Sequence, residues 1–221
     1  LHISTWRAIP NNQYGVTMLG GETGNRSRAV DHGRGHIELD LRPSYPHELA
    51  WMATTADKQP EYREAMLRAY GEAEAKRILW EGPPHAMIFP NLFLGEINIA
   101  RVEPVSPNVT VHHHTAIQLE DAGEGVNQRL RRMSEGAMGP GSFLLPEDAV
   151  TAERMQCGYT GTSPTMASGA ANHAWVDLSR GAHREQVEES GARFSLLSDE
   201  VTNRGFWKHY RSVMCERGAV A

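Results

Sequence analysis

A glycine- and proline-rich turn that runs into an acidic helix start is the feature that most constrains how this chain folds. Three glycines and one proline fall within Gly136–Gly141 and predict the end of the preceding element. Pro146-Glu147-Asp148 then provides the proline and the acidic residues that favour the first turn of a helix. The stretch therefore predicts a helix beginning near Pro146, with the Asp148 carboxylate on a well-defined backbone. An isolated aspartate at such a position is most often only a helix cap.

Composition narrows the class of protein. The 221 residues can bury a sizeable single core, and 40% hydrophobic content with mixed charge is typical of a globular protein. The net charge of -5 argues against a nucleic-acid surface, and the short basic group at Arg129, Arg131 and Arg132 is interpreted as a solvated helix face. The sequence shows neither a long apolar span nor the pattern of a signal peptide, which predicts a cytoplasmic protein. Because the chain starts at Leu1, it is interpreted as a piece of a longer protein.

Cysteine and histidine usage differ in what they indicate. Cys157 and Cys215 are far apart and have no Cys or His at ligand spacing, so they predict reduced, structural thiols and neither a disulfide framework nor a sulfur-ligated metal. The chain has 11 histidines, and histidine is both a common metal ligand and the usual proton carrier at neutral pH.

The order of hydrophobic patterns predicts an α+β fold with an antiparallel sheet. The pattern contains two helical stretches between groups of strands and a third helix that closes the chain. In order, the predicted elements are a strand near Tyr14–Leu19, a glycine turn at Asp31–His36, a strand at Ile37–Leu41, a helix at 60–80, one long strand at 85–102 bent at Pro90, a turn at Pro104–Asn108, a strand at Val109–Leu119 and helices at Gly123–Glu135 and Glu200–Glu216. The first of these two helices carries Val126, Leu130 and Met133 at spacings of four and three, which predicts its apolar face. The second is predicted to pack a stripe of Val201, Phe206, Tyr210, Val213 and Met214 inward.

The triple His112-His113-His114 offers one possible metal site. Alternate residues of a strand share a face, so His112 and His114 could bind one ion while His113 points away. Such a pair needs a third ligand within reach. One alternative is therefore a metal-binding β-barrel protein built on His112 and His114, and the other interpretation of the triple is a polar sheet face.

Several groups of residues occur in the order found in one enzyme family. They are Phe89-Pro90-Asn91-Leu92-Phe93-Leu94 before a paired strand, Gly139-Pro140-Gly141-Ser142-Phe143 before an acidic helix start, Glu153-Arg154-Met155-Gln156-Cys157-Gly158, Leu178-Ser179-Arg180-Gly181, and Ser198-Asp199-Glu200 before Arg204-Gly205-Phe206-Trp207-Lys208-His209-Tyr210. From about Pro84 to Met214 the chain resembles the catalytic, C-terminal domain of the large (alpha) subunit of Rieske-type aromatic-ring-hydroxylating dioxygenases.

This resemblance implies an antiparallel sheet wrapped by helices, the helix-grip fold of Bet v1 and START domains, with residues 1–221 as one catalytic domain. It implies a mononuclear Fe(II) held by two histidines and one aspartate, and it places the second histidine at His2 and the aspartate at Asp148, the catalytic carboxylate. The first histidine would lie upstream of Leu1. The Rieske domain with its [2Fe-2S] cluster would also lie upstream, so full activity would require that upstream part of the subunit.

The same resemblance implies a reaction and its partners. The substrates would be dioxygen and an aromatic compound, as in the catabolism of aromatic hydrocarbons, and a ferredoxin and a separate NAD(P)H-dependent reductase would supply electrons. The assembly would be a homotrimer of large subunits or an α₃β₃ complex. The substrate-binding residues implied by position are His85, Phe93, Ala137, Met138 and Leu144. Arg180 and Glu200 are predicted to form a structural ion pair, and a metal-free helix-grip domain that binds a ligand stays open as a further alternative.

Overall fold

The computed structural model describes residues 27–40, 49–50, 54–55, 59–81, 85–95, 97–142, 144–160 and 176–217. His2 and the predicted strand near Tyr14–Leu19 lie outside these ranges. None of the helices in the described ranges is both long and apolar enough to cross a membrane.

An eight-stranded antiparallel sheet forms the centre of the described structure. Its strand order is β8-β7-β6-β5-β2-β1-β10-β9, and β3 and β4 form a separate two-stranded sheet. The strands are β1 (Arg28–Asp31), β2 (Ile37–Asp40), β3 (Leu49–Ala50), β4 (Thr54–Thr55), β5 (Ala86–Ile88), β6 (Leu92–Leu94), β7 (Asn98–Ser106), β8 (Val109–Ala116), β9 (Gln186–Val187) and β10 (Arg193–Leu196).

Four α-helices accompany the sheet within the described residues. They are α1 (Pro60–Glu81), α2 (Glu124–Met138), α3 (Leu145–Thr160) and α4 (Val201–Arg217), and a short 3-10 helix spans Ala182–Arg184. Helix α4 packs against β1, β2 and β10, and α2 packs against β8. The prediction of an α+β fold with an antiparallel sheet and covering helices is confirmed.

The turn between β1 and β2 forms where the sequence predicts it. Gly33 and Gly35 have φ values of 80° and 77°, which glycine adopts without a steric cost. The Asp31 carboxylate accepts a hydrogen bond from the Gly33 N–H at 2.8 Å and fixes the start of the turn. A Cβ on Gly35 would lie 2.7 Å from the Phe89 ring, so the lack of a side chain at Gly35 also lets Phe89 pack against this turn.

The prediction of one long strand bent at Pro90 is wrong. Residues 86–94 form a hairpin instead, in which β5 and β6 pair antiparallel with Met87 opposite Phe93, and the chain turns at Phe89–Asn91. The Phe89-Pro90 peptide bond is cis. A second turn after Leu94 leads into β7, which pairs with β6. Strands of three residues are too short to show alternation, so the sequence pattern merges them.

The predicted bounds of one turn and the predicted end of one helix are also wrong. The turn predicted at Pro104–Asn108 is shorter, because β7 continues to Ser106 and Pro104 lies opposite Thr110. Among the described residues, β6 pairs with β7 only as far as Arg101. Pro104 therefore lies where β7 has no β6 partner, and its missing N–H costs little. Helix α2 likewise continues through Gly136 to Met138. A glycine inside a helix costs only about 1 kcal/mol relative to alanine, and burial of Ala137 offsets that cost.

The main apolar cluster joins α1 and α2 to the edge of the sheet. Its buried members are Tyr62, Leu79, Ile97, Val126, Leu130, Ala137 and Leu144. The spacing of Val126 and Leu130 is the one that the sequence predicts for the buried face of α2. In α1 the backbone departs from helical geometry at Gly71, with φ 73° and ψ 169°, and residues on both sides of this kink reach the cluster.

Other predicted packing is confirmed only in part. Val201 is buried in α4, but Tyr210 and Met214 are exposed, so the predicted inward stripe is wrong at those two positions. Phe206 packs on Phe89 with ring centroids 5.7 Å apart. The predicted ion pair between Arg180 and Glu200 forms. Cys157 and Cys215 form no disulfide, and both are exposed, which is a correction to their predicted structural role.

Candidate functional site

The β7–β8 pair gives the sheet a face rich in polar side chains. Residues directly opposite each other in an antiparallel ladder project from the same side of the sheet. The ladder pairs Met87 with Phe93, Phe93 with Ala100, Ala100 with His114, and Val102 with His112. We call this side the histidine face, and it comprises His85, Met87, Phe93, Asn98, Ala100, Val102, His112 and His114.

His112 and His114 lie together on this face. Their ring centroids are 6.1 Å apart and the rings are inclined by 31°. His113 projects from the opposite side, where its Nε2 is 3.0 Å from Glu103, and Arg101 is 2.8 Å from the same carboxylate. The alternation of the strand therefore places His113 in an ion-pair cluster on one side of the sheet, and His112 and His114 on the histidine face.

One nitrogen of His114 is held and the other has no partner. The Asn98 side-chain amide nitrogen is 2.9 Å from His114 Nδ1. Because an amide NH₂ group can only donate, Nδ1 accepts, and the neutral ring carries its proton on Nε2. Nε2 is buried and makes no hydrogen bond to any residue that the structure describes. Burial lowers the pKa of His114, the nearby His112 lowers it further, and the Asp148 carboxylate acts in the opposite direction.

Helix α3 brings Asp148 to this part of the sheet. The helix begins at Leu145, and the Asp148 N–H donates to the Leu144 carbonyl at 3.0 Å, so the carboxylate lies on the first turn as the sequence predicts. At the other end of α3, the Gln156 amide donates to the Pro107 carbonyl and to the Asn108 side chain at 3.2 and 3.1 Å.

The Gln156 contacts join the C-terminal part of α3 to the turn between β7 and β8. At the first turn of α3, the Asp148 carboxylate is near enough to His114 to interact with its ring electrostatically.

His85 is a second buried imidazole on the histidine face. It immediately precedes β5, and its carbonyl accepts the Leu39 N–H at 2.8 Å. Its Nε2 is buried and has no hydrogen bond within the described part of the chain. Burial lowers the pKa of the ring, with Glu38 acting in the opposite direction. Phe93 shares this face and keeps 40% of its surface exposed. His85 and Phe93 thus lie on the same side of the sheet as His114.

The other predicted substrate-binding residues lie deeper. Ala137 and Leu144 are each 6% exposed and belong to the apolar cluster, and Met138 packs against it. Their predicted contact with a substrate stays a prediction. His2, the predicted histidine ligand, lies outside the described residues.

The described residues include one predicted ligand of an iron site, Asp148. Within the residues that the structure describes, no three side chains of His, Cys, Asp or Glu converge to hold a metal ion. The pair His112 and His114 therefore has no described third ligand. What the described residues supply is the Asp148 carboxylate on the first turn of α3, and a carboxylate is one of the three ligands of a two-histidine, one-carboxylate iron site.

The fold has solved counterparts. No protein-family model matches the sequence, and no curated protein matches it at a significant level. The chain resembles a mutant of naphthalene 1,2-dioxygenase bound to phenanthrene, with a TM-score of 0.65 and 17% identity over 95% of this chain and 47% of that one. The likeness is one of fold. Naphthalene 1,2-dioxygenase with indole bound in the active site gives a TM-score of 0.65 and 17% identity, over 95% of this chain and 46% of that chain.

The predicted resemblance is thus confirmed as a likeness to the naphthalene 1,2-dioxygenase fold. The chain spans about half the length of these solved chains. One residue of the site escaped the sequence analysis: Asn98, which is only 5% exposed and holds the His114 ring. Its signal was present, because a polar amide between Ile97 and Ile99 at the start of a strand is unusual unless its hydrogen bonds are satisfied.

Proposed function

We propose that this chain is the catalytic part of the large subunit of a Rieske-type non-haem iron oxygenase, which hydroxylates or cis-dihydroxylates an aromatic ring. The observation that carries the proposal is the likeness to the naphthalene 1,2-dioxygenase fold over 95% of the chain, combined with the Asp148 carboxylate on the first turn of α3. The solved relatives have phenanthrene or indole bound, which supports an aromatic substrate.

In this proposal the iron ligands are Asp148, His2 and a second histidine upstream of Leu1. Two neutral imidazoles and one carboxylate reduce the charge of Fe(II) to about +1 and leave coordination positions open. The iron, when bound, supplies the centre at which dioxygen is reduced. Asp148 holds its carboxylate on the helix backbone, so the position of one ligand is set by α3 and not by a flexible loop.

The remaining residues shape the space for the ring. His85 and Phe93 project from the histidine face, and Phe93 offers an aromatic surface for an apolar ring. Ala137, Met138 and Leu144 form the apolar wall behind them, where small changes in volume shift the ring relative to Asp148. Because burial lowers its pKa, His85 stays neutral at pH 7 and does not place a charge against the substrate.

Electrons would reach the iron from outside residues 1–221, because hydroxylation consumes two electrons that one Fe(II) cannot supply. A reductase that oxidises NAD(P)H would pass them to a ferredoxin, and the ferredoxin would pass them to a [2Fe-2S] cluster in an N-terminal domain of the same subunit. It also includes a homotrimer of large subunits, or an α₃β₃ complex with a small subunit.

The test uses the full-length protein loaded with Fe(II) without oxygen, followed by measurement of bound iron and of oxygen-dependent hydroxylation of naphthalene and indole. We expect one iron per catalytic site in the wild type and in Glu147→Ala, the neighbouring control. We expect no stoichiometric iron in Asp148→Ala.

The paired variant with alanine at His112 and His114 distinguishes the alternatives. It should still take up stoichiometric iron at saturating Fe(II). Loss of metal in this variant with retention in Asp148→Ala would instead support the metal-binding β-barrel protein. A wild type that binds no iron would support the metal-free ligand-binding domain.

A further inference from the structure

The Asn98 side chain is held between Gly95 and His114. Asn98 is only 5% exposed, and its backbone carbonyl accepts the Gly95 N–H at 2.9 Å. A Cβ on Gly95 would lie 3.0 Å from Asn98 Oδ1, so the amide oxygen lies close to the glycine. The amide nitrogen lies 2.9 Å from His114 Nδ1. The amide of Asn98 therefore directs its oxygen toward the end of β6 and its NH₂ group toward β8.

This orientation decides which nitrogen of His114 carries the proton. The NH₂ group can only donate, so Nδ1 accepts and the neutral ring has its proton on Nε2. Nε2 is buried, and none of the described residues accepts a hydrogen bond from it. A buried donor without an acceptor is rare, because the hydration that it loses is not replaced. The geometry thus leaves one directed donor on the histidine face.

The donor and an exposed aromatic side chain lie in one row of the sheet. Across the ladder, Phe93 lies opposite Ala100, and Ala100 lies opposite His114. Neighbouring strands are about 4.8 Å apart, so the backbone positions of Phe93 and His114 are separated by about 10 Å. The side chain between them is the single methyl group of Ala100. The row therefore has an apolar ring at one end and a hydrogen-bond donor at the other.

A ligand reaches Nε2 only when side chains around it move. His112 is exposed and its ring centroid is 6.1 Å from that of His114, and Phe93 keeps 40% of its surface exposed. Exposed side chains change rotamer within nanoseconds, so both rings can turn aside. Burial lowers the pKa of His114, and His112 acts in the same direction, so the donor is uncharged at neutral pH and suits an uncharged acceptor.

We propose that the His114 Nε2–H determines specificity by donating a hydrogen bond to an uncharged oxygen substituent of the aromatic substrate, an ether, carbonyl or hydroxyl group, while the ring of the substrate packs on Phe93. Asn98 is the positioning residue that fixes the His114 tautomer. The inference rests on the proposed function for the assignment of the histidine face to the substrate. It makes the preferred substrate an oxygen-substituted arene and not a plain hydrocarbon.

The test compares anisole with ethylbenzene, two ligands of similar shape that differ in one accepting atom. An ether oxygen accepts hydrogen bonds and donates none, so only a donor on the protein distinguishes the two. Both dissociation constants are measured by equilibrium dialysis with the full-length, iron-free oxygenase at pH 8.5, and nitrogen-15 NMR of labelled histidine follows His114. The preference for anisole, taken as the ratio of the two constants, is compared between variants, so that differences in ligand hydration cancel.

We expect the preference for anisole to fall about fivefold in His114→Phe, which keeps a ring and removes the donor. In Asn98→Asp the new carboxylate can only accept, so it draws the His114 proton to Nδ1 and leaves Nε2 as an acceptor. This variant should lose the preference for anisole and bind indole, whose N–H donates, more tightly than the wild type does. His113→Phe, on the opposite side of the same strand, is the matched control and should keep the wild-type ratio.

Several results would overturn the inference. They are a wild-type His114 with its proton on Nδ1, an unchanged ratio in His114→Phe, and a His114 Nε2 resonance that does not shift when anisole binds. If both ligands bind and no variant changes the ratio, the donor role fails while an aromatic site stands. If neither ligand binds the wild type, the inference fails together with the proposed aromatic substrate, and iron uptake decides the rest of the proposed function separately.

Discussion

The two ends of the large sheet treat buried polar groups in opposite ways. At the end formed by β1, β2, β10 and α4, buried carboxylates face arginines: Asp40 is 2.5 Å from Arg28, and Asp199 is 2.6 Å from Arg184. At the β5–β8 end, the Nε2 atoms of His85 and His114 are buried and form no hydrogen bond with the described residues. The first end pairs its buried carboxylates with arginines, whereas the second leaves two buried imidazole nitrogens without a hydrogen bond to any described residue.

This difference indicates where stability and function are located. Paired charges contribute to a fixed geometry, but they offer nothing to a ligand. Unpartnered buried polar groups cost stability, and they persist where a ligand, a metal or a neighbouring side chain can bind to them. The comparison therefore predicts that changes at the paired end destabilise the protein, and that apolar replacements at the histidine face do not.

The largest expected effect is at Gly181, at the paired end. Gly181 has φ 77°, and a Cβ there would lie 2.2 Å from Asp199 Cγ. The carboxylate cannot move aside cheaply, because Arg184 holds both of its oxygens at 2.6 and 2.8 Å. We expect Gly181→Ala to lower the free energy of unfolding by about 3 kcal/mol in urea titrations.

Gly191→Ala is the control for the backbone contribution. Gly191 has φ 86°, and a Cβ there would meet no atom within 4 Å. Its cost should be the conformational one alone, about 1 kcal/mol. Equal losses at the two glycines would show that Asp199 yields freely, and the paired end would then not be rigid.

A medium effect is expected from the ion pair itself. The Arg184 hydrogen bonds, together with Ser195, lower the pKa of Asp199 to about 2. Because the folded-state pKa lies below the unfolded value, the pair stabilises the protein above the unfolded pKa near 4, and this stability is lost as the pH falls toward 2. We expect Arg184→Ala to cost about 2 kcal/mol at pH 7.

The pH series provides the check on that assignment. The difference in unfolding free energy between wild type and Arg184→Ala should shrink between pH 5 and pH 2, where Asp199 becomes protonated. Arg193→Ala, whose partner Glu185 is 3.5 Å away, is a surface control with a smaller and flatter difference. A difference independent of pH would contradict the role of Asp199.

How much of this could be predicted from the sequence depends on the range of the interactions. The turn at Gly33, the start of α3 and the α2 spacing of Val126 and Leu130 follow from local chemistry, and each of them forms as predicted. Glycine and proline residues, first-turn acids and a 3.6-residue period are visible in a short window of sequence.

The errors arise where tertiary contacts override local signals. Gly136 is a helix breaker by composition, but Ala137 is 6% exposed in the core, and its burial carries α2 past the glycine. The hairpin at Phe89–Asn91 has strands too short to show a period. The electrostatic interaction of Asp148 with His114 joins two elements that are far apart in the sequence, and no sequence spacing expresses it. Only the resemblance to a known family suggested a role for Asp148.

The smallest effect sharpens the comparison at the histidine face. His85 loses hydration on burial, and its Nε2 gains no hydrogen bond from the residues that the structure describes, whereas His36 accepts the Phe89 N–H at 3.1 Å. We therefore expect His85→Leu to leave the free energy of unfolding unchanged or to raise it by up to about 1 kcal/mol, and His36→Leu to lower it by about 1 kcal/mol.

Burial depresses the pKa of His85, so in the wild type this residue destabilises the protein as the pH falls through the unfolded value of about 6.5. Urea titrations at pH 7.5 and pH 5.5 should show a larger advantage of His85→Leu at the lower pH. A loss of stability in His85→Leu equal to that in His36→Leu would mean that His85 contributes to the fold as the paired end does, and the contrast between the two ends of the sheet would not extend to this residue.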